Sequence, residues 1–422
     1  MKKLLLFMAT LCLVLFTSAQ AEATSTNTEG WLYENESTYE TKKATYTVCC
    51  SEDGTKCWIK EIKLHSDTED VSTFKVKSTF NGVPVTRIGA YNEPEEDGVM
   101  RFTSEQKNVF HWQLGEEAVE TKNNEEVKKI VLPDTIEEIL HGCFFGLSNL
   151  KEINTPKELR RLEAIVFWNC DKLKTFYISD KVEEINFYSF SVAKSLKEIK
   201  VSKKNKTFKC QDKMILSKDG RELWNLTADC DKVTVPKTVR TIKEGALLVF
   251  STKEIALPKR LKEIEGGALD SKTLSKVSLA KGNKNFKCVK GCLVDKKKGT
   301  LIFVRYENGT LELPEGVKHL VKGISFAGEG KIETIILPKT LKSMGSDWYS
   351  GGNYEYRNKV YFRGKNPPKV PKKYPWTGIC RPADYYVAKK SYGKYRKWLK
   401  KNLLTPDSCT VNGKDLVKPK RR

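Results

Sequence analysis

Apolar residues recur through the middle of the chain on a fixed grid. Residues 127–139 read Val-Lys-Lys-Ile-Val-Leu-Pro-Asp-Thr-Ile-Glu-Glu-Ile, and residues 150–162 and 173–185 repeat the phrase. With Pro133 as an anchor, apolar side chains stand six, three and one residues before it and three and six after it. The anchors Pro133, Pro156, Ser179 and Ser202 follow at steps of 23. Pro236, Pro258, Ala280, Pro314 and Pro338 continue at steps of 34, 22, 22, 34 and 24. A fixed period in this range predicts a solenoid. One copy offers five or six apolar side chains, worth about 1.5–3 kcal/mol each when buried. Ordering its backbone costs roughly 1–2 kcal/mol per residue. A single copy therefore cannot fold alone, and neighbours must stack to share a core.

The two long steps match each other at a shift of 78, pairing Asn205 with Asn283, Phe208 with Phe286, Cys210 with Cys288, Leu223 with Leu301 and Pro236 with Pro314. Residues 214–220 and 292–299 each read strand, turn, strand, which predicts a β-hairpin excursion in each long step. Ahead of the repeats, residues 22–81 are predicted to form a β-rich cap. Tyr46-Thr-Val, residues 58–64 and residues 74–77 alternate apolar with polar, as half-buried strands do. Residues 82–350 form the repeat region, with an insertion or long loop at 101–126 where the period breaks. Residues 345–358 read as a loop. Residues 351–422 form a basic closing cap and tail. In it, residues 389–402 are predicted to be a helix, with Tyr392, Tyr395, Leu399 and Asn402 along one side, covering the open end of the stack.

At the chain start, Met1-Lys-Lys precedes an apolar run over residues 4–16 and then Thr-Ser-Ala-Gln-Ala. This is the pattern of a secretory signal peptide, with cleavage expected after Ala21. The run is too short to span a bilayer. Export to the cell surface or medium is expected.

The phrase Leu-Lys-Glu-Ile-x-x-Pro, followed by apolar residues three and six positions on and then by Phe144, Phe167, Phe190, Ala246 or Ala268, resembles the BspA-like leucine-rich-repeat family of bacterial surface proteins. Residues 72–89 are similar to that family's opening unit. Val360-Tyr-Phe-Arg-Gly-Lys-Asn-Pro-Pro, with Tyr385-Tyr-Val-Ala, Tyr392, Tyr395 and Trp398, resembles its closing unit. The resemblance spans residues 72–402. It implies a repeat solenoid, β-rich with short strands in each repeat, and a secreted or surface role in adhesion or recognition. Ser179, Ser202 and Ala280 depart from the anchor proline.

Catalytic chemistry leaves no trace in the pattern. The four histidines, His65, His111, His141 and His319, sit in no metal-ligand spacing, and no P-loop or GxSxG phrase occurs. Glu137-Glu138 and Glu183-Glu184 are paired carboxylates, but they recur at one repeat position and read as exposed solenoid sites. No catalytic residue, cofactor or metal is therefore expected. Binding is the alternative chemistry. Residues four and two before each anchor should point outward, and from that column Glu152, Asn154, Thr175, Tyr177, Glu198, Lys200 and Lys232 are the candidate ligand contacts for a protein or glycan partner.

Eleven cysteines lie beyond the signal segment. In an exported protein they invite disulfides. A bridge is expected within Cys210–Cys230 or Cys288–Cys292, and another inside the cap among Cys49, Cys50 and Cys57. Cys143 and Cys170 are expected to be buried thiols. The net charge is +22, and from Arg357 onward 20 lysines and arginines face three aspartates. Lys389, Lys390, Lys394, Arg396, Lys397, Lys400 and Lys401 are thus candidate contacts for a polyanion such as an acidic glycan or nucleic acid. The reading is a monomeric, non-catalytic binding or adhesion protein, with polyanion binding or an envelope-structural role as alternatives.

Overall fold

A computed structural model describes residues 31–65, 70–89, 126–190, 193–271, 273–305, 309–320, 324–327, 332–344, 358–370, 383–402 and 409–415. The signal segment, the 101–125 part of the insertion, the loop at 345–357 and the extreme tail lie outside them. The chain forms two compact units. The first holds the residues up to Gly220 with Trp224–Asp229 and Leu248–Phe250, and the second holds Arg221–Leu223, Cys230–Leu247 and Ser251–Arg422. Each is built of β-solenoid turns.

In the first unit each turn through that of Ser179 contributes one short strand before its anchor and one after it. The leading strands Thr73–Lys75, Lys129–Val131 and Glu152–Ile153 pair in parallel, as do Thr175–Ile178 and Glu198–Val201. The trailing strands Val83–Ile88, Glu138–Ile139, Arg161–Leu162 and Glu184–Ile185 form a second parallel row. The register pairs Glu138 with Arg161 and Arg161 with Glu184, so one turn is one sequence period. Trp31–Glu40, Ala44–Ser51 and Cys57–Leu64 make an antiparallel meander, and Cys57–Leu64 passes its other edge to Val83–Ile88 in parallel. The cap thereby covers the edge of the second row, which would otherwise offer unpaired backbone groups.

The anchor is the corner between the two strands. The carbonyls of Pro133, Pro156, Pro236, Pro258, Pro314 and Pro338 each accept a hydrogen bond from the N–H three residues on, at 3.1–3.4 Å. That N–H belongs to Ile136, Leu159, Val239, Leu261, Val317 or Leu341. The turn thus swings an apolar side chain inward at each corner. Proline has no N–H to lose at such a corner and its φ is already fixed.

Stacking at the period makes each core position a continuous row. Leu150, Leu173 and Leu196 are buried in register, and so are Ile139, Leu162 and Ile185. Phe144, Phe167 and Phe190 stack ring on ring at 5.8 and 5.4 Å, with interplanar angles of 20° and 22°. Cys143 and Cys170 lie inside, as expected, and the Cys170 thiol donates to the Phe144 carbonyl at 3.2 Å.

Both long steps open identically. Ser202 and Ala280 still form the corner, but the residue three positions on is Asn205 or Asn283 instead of an aliphatic. Each asparagine is buried. Asn205 Nδ2 donates to the carbonyls of Ser179 and Val182 one turn earlier, at 2.7 and 2.9 Å, and its Oδ1 accepts from the Thr207 and Phe208 amides. Asn283 does the same with Pro258, Leu261, Asn285 and Phe286. The chain then leaves as an antiparallel hairpin, Phe208–Gln211 with Met214–Ser217, or Phe286–Val289 with Cys292–Asp295. Asp212-Lys213 and Lys290-Gly291 both take positive φ, as a two-residue hairpin turn requires.

In the second unit Lys232–Thr234, Glu254–Leu257 and Lys276–Leu279 pair in parallel at a 22-residue register. Further along, Thr310–Glu312, Thr334–Leu337, Asn358–Phe362 and Ala383–Val387 form one parallel sheet extended by Thr410–Val411. The predicted helix is present as a 3-10 turn, Lys389–Ser391, followed by an α-helix, Tyr392–Asn402. Tyr395 and Leu399 are buried in the core, and Tyr392 and Trp398 pack against it. The Tyr395 hydroxyl donates to the carbonyl of Asn366 at 2.8 Å.

Candidate functional site

The outward phase of the leading strands follows from their alternation. In Thr175–Ile178, Phe176 and Ile178 are buried while Thr175 and Tyr177 are exposed. Glu152, Asn154, Thr175, Tyr177 and Lys200 are exposed and Glu198 is half-buried. Five of these lie on the leading strands of the first unit, and Asn154 directly follows the strand Glu152–Ile153. Thr175 stands opposite Glu198, and Tyr177 opposite Lys200. Lys232 belongs to the second unit, where it faces Glu254.

Side-chain pairing divides this column into occupied and available groups. Glu152 takes Lys129 Nζ at 2.8 Å, which holds its carboxyl below the usual carboxylate range. Glu198 lies 3.5 Å from Lys200. Asn154 clamps the strand before it: its Oδ1 accepts from the Leu132 amide at 2.7 Å and its Nδ2 donates to the Leu132 carbonyl at 2.9 Å. Its amide is therefore committed to the scaffold. Tyr177 remains, 46% exposed, the large apolar side chain that stands out of the surface among the described residues.

The basic helix presents a different surface. Lys389, Lys390, Lys394, Lys397, Lys400 and Lys401 are exposed and Arg396 is half-buried. Lys394 donates to the Asn366 side chain at 2.9 Å. Among the described residues, no carboxylate pairs with the other five lysines. Lys400 and Lys401 occupy the last turn, where the helix dipole favours positive charge.

A third feature was not singled out from the sequence. In the second unit the outward column continues past Pro338, through Glu312, Ile336, Tyr361 and Tyr386 on neighbouring strands. The Tyr361 and Tyr386 rings stack at 4.5 Å and 12°. They border a cavity of about 490 Å³ that also reaches Thr310, Thr334, Ile336 and Arg363. Arg363 Nη1 donates to Glu312 Oε1 at 2.8 Å. The available signal was the alternation in Lys-Val-Tyr-Phe and Asp-Tyr-Tyr-Val, which puts Tyr361 and, in the second phrase, Tyr386 in the outward phase.

The expected Cys288–Cys292 disulfide meets a geometric obstacle. Val289 pairs with Cys292, so Cys288 and Cys292 point to opposite faces of a two-residue hairpin. Cys288 is exposed and Cys292 is buried, and the two are unbridged. Cys210 occupies the matching exposed position and is likewise unbridged. In the cap, by contrast, Cys50 and Cys57 stand directly opposite each other with their sulfurs 3.7 Å apart. Among the described residues, no cluster of three or more histidine, cysteine or acidic side chains is placed to hold a metal. None of the described helices is long and apolar enough to cross a membrane.

Residues 120–211 and 220–291 match the BspA type leucine rich repeat region, in six copies. No curated protein matches the sequence. Among solved structures, the pneumococcal vaccine antigen PcpA aligns over 89% of this chain and 98% of its own, at 16% identity and a TM-score of 0.42. A leucine rich cell surface protein from Faecalibacterium prausnitzii A2-165 aligns over 85% and 97%, at 13% identity and a TM-score of 0.39. A leucine-rich repeat protein from Eubacterium ventriosum ATCC 27560 aligns over 74% and 88%, at 14% identity and a TM-score of 0.37. With its 22- and 23-residue turns, its paired parallel strand rows and the six matched copies, the chain carries leucine-rich repeats of the BspA type over residues 120–211 and 220–291.

Proposed function

We propose that this is a non-catalytic binding protein, exported to the cell surface or medium, that holds a protein or glycan partner on the outward column of its leading strands. The observation that carries the reading is Tyr177. A half-exposed aromatic on a rigid strand, ringed by charges that neutralise one another, matches the composition of interface hot spots. A stable interface needs about 800 Å² per partner, or some 20–30 residues, and a column running over several turns offers such an area. The test is binding of the full chain to arrays of extracellular-matrix proteins and host glycans, repeated with Tyr177→Ala. Affinity for the retained ligand should fall at least about fivefold, the equivalent of 1 kcal/mol, with an unchanged melting temperature. Undiminished binding would remove the column from the function, and unfolding would show Tyr177 to be core.

A second reading is supported by Lys397, Lys400 and Lys401 of the helix, which no carboxylate pairs among the described residues. They suit a polyanion, whose binding is driven by counterion release. On this reading the chain elutes from immobilised heparin well above 0.2 M salt, where weak surface attraction is already screened at roughly 8 Å. Replacing Lys397, Lys400 and Lys401 by glutamine should lower the elution point. Elution at lower salt, or an unchanged profile in the variant, counts against it.

A further inference from the structure

We propose that the tyrosine-bordered cleft of the second unit is a saccharide-binding site. Its walls are the Tyr361 and Tyr386 rings, stacked at 4.5 Å, with Ile336 beside them. Its polar groups are the Thr310 and Thr334 side chains and the Arg363 guanidinium. Four neighbouring strands form the floor, about 14 Å across at the usual 4.8 Å strand spacing. The volume of about 490 Å³ falls within the range of roughly 300–1,000 Å³ typical of ligand pockets.

The chemistry of the lining narrows the ligand. The one guanidinium of the lining, Arg363, is already matched by the neighbouring Glu312 carboxylate at 2.8 Å, itself 3.8 Å from Lys290, so the cleft suits a phosphate or sulfate poorly. An added peptide strand needs an open sheet edge, whereas Thr334–Leu337, Asn358–Phe362 and Ala383–Val387 are paired on both sides, and the edge strand Thr310–Glu312 lies three strands from Tyr386. An amphipathic helix needs a continuous apolar groove, and here hydroxyls, a guanidinium and a carboxylate interrupt the apolar surface. What remains is a ligand with C–H faces and rows of hydroxyls. A pyranose can lay its C–H face on a tyrosine ring and present vicinal hydroxyls to the planar Arg363–Glu312 pair. Arg363 uses one N–H on Glu312, and a guanidinium carries five. Glu312 stays ionised, and so stays an acceptor, because Arg363 holds its carboxyl below the usual range.

This inference does not depend on the Tyr177 column, and the same experiment separates the two. The full chain is screened against neutral oligosaccharides, namely xylohexaose, mannohexaose, laminarihexaose, cellohexaose and neutral mucin-core glycans, and the retained one is titrated. Tyr361→Ala and Tyr386→Ala should each weaken binding at least tenfold, and Arg363→Gln at least fivefold, while the exposed control Lys172→Ala leaves it unchanged. A loss on Tyr177→Ala with binding intact in the cleft variants would assign the saccharide to the column and overturn the proposal. Arg363 is exposed, so its variant reports on the site even if an alanine variant of a tyrosine unfolds. The proposal is overturned if none of these saccharides binds, or if binding survives all three cleft substitutions. Binding confined to sulfated glycans and lost on replacing Lys397 and Lys400 would also overturn it, assigning recognition to the helix.

Discussion

Asn205 occupies a slot that is aliphatic at the ordinary corners, and its replacement tests why the chain departs into a hairpin there. Asn205→Ala deletes four hydrogen bonds. It strands the carbonyls of Ser179 and Val182 and the amides of Thr207 and Phe208. An unsatisfied buried group costs about 1–3 kcal/mol. Thr207 is half-buried, and water can serve its amide. Three groups at mid-range, with partial relaxation, give a loss of about 4 kcal/mol. Asn205→Leu restores the usual residue of the slot and returns roughly 2 kcal/mol by apolar burial, so it should be milder. Asn205→Asp aims a buried carboxylate at two carbonyls and should be the worst of the three. The assay is urea unfolding combined with hydrogen exchange at the Thr207 and Phe208 amides, since repeat arrays need not unfold in one step. The exposed neighbour gives the control, Lys206→Ala, expected within about 0.5 kcal/mol of the parent. Equal midpoints for Asn205→Ala and Lys206→Ala, with amide protection intact, would refute the clamp and leave the Asp212-Lys213 turn as the sole device that makes the hairpin. Asn283→Ala should behave alike, with a smaller loss because its two donor contacts are longer, at 3.2 Å each.

Phe167, the middle of the aromatic stack, should lose about 3–5 kcal/mol on replacement by alanine, read by thermal unfolding against the exposed Lys172→Ala. Burial pushes the His141 imidazole down to about 4, from about 6.5 when unfolded, so the unfolded chain binds the extra proton between those values. Stability should therefore fall as pH drops from about 6.5 to 4, by at most about 3 kcal/mol, and His141→Leu should flatten that part of the curve. Glu163, pushed up by burial, acts in the opposite sense at the acid end of the same titration. Oxidised glutathione should close Cys50 onto Cys57 by exchange, with two glutathione thiols released, and closing the short loop should add about 2–3 kcal/mol. Peptide mapping that found Cys49 joined to Cys57 instead would contradict the strand register.

The repeat was legible because its signal is redundant. Each of the rows through Leu150, Ile139 and Phe144 recurs at the period, so no single substitution hides it. Ser202 and Ala280 could replace proline without loss of the pattern because the corner is made by backbone. Polar roles were harder to read. Asn205 and Asn283 were visible as a match, but nothing local says that their amides reach back one whole turn. Asn154 looked like a ligand contact because its strand phase is outward, yet its amide is used on Leu132. Cys288 and Cys292 looked close because they are four apart in sequence, and a two-residue turn sends them to opposite faces. Tyr361 and Tyr386 escaped because the period lapses over residues 345–357, which hides that their strands extend the same column.

The uneven charge follows from the same stacking. Asp134 meets Lys157, Glu158 meets Lys181 and Asp171 meets Lys194, each 23 residues on. Lys129 meets Glu152, Arg160 meets Glu183 and Arg161 meets Glu184 in the reverse sense. In the second unit Asp231 meets Lys253, and Glu254 meets Lys276, 22 residues on. Single exposed pairs of this kind contribute little, about 0–1 kcal/mol. Their collective effect lies in register, since sliding one turn along its neighbour would separate partners along the whole row. It also lies in neutrality, because a carboxylate matched one period away no longer adds to the field of the surface. A charge inside the stack can meet a neighbour on the next turn, whereas the lysines of Tyr392–Asn402 stand on a helix for which, among the described residues, no repeat copy supplies a carboxylate. A basic surplus on this helix is thus what leaving the repeat ladder produces by itself. Net charge alone therefore favours no ligand, and only the salt dependence of the lysine variants can turn that surplus into a binding site.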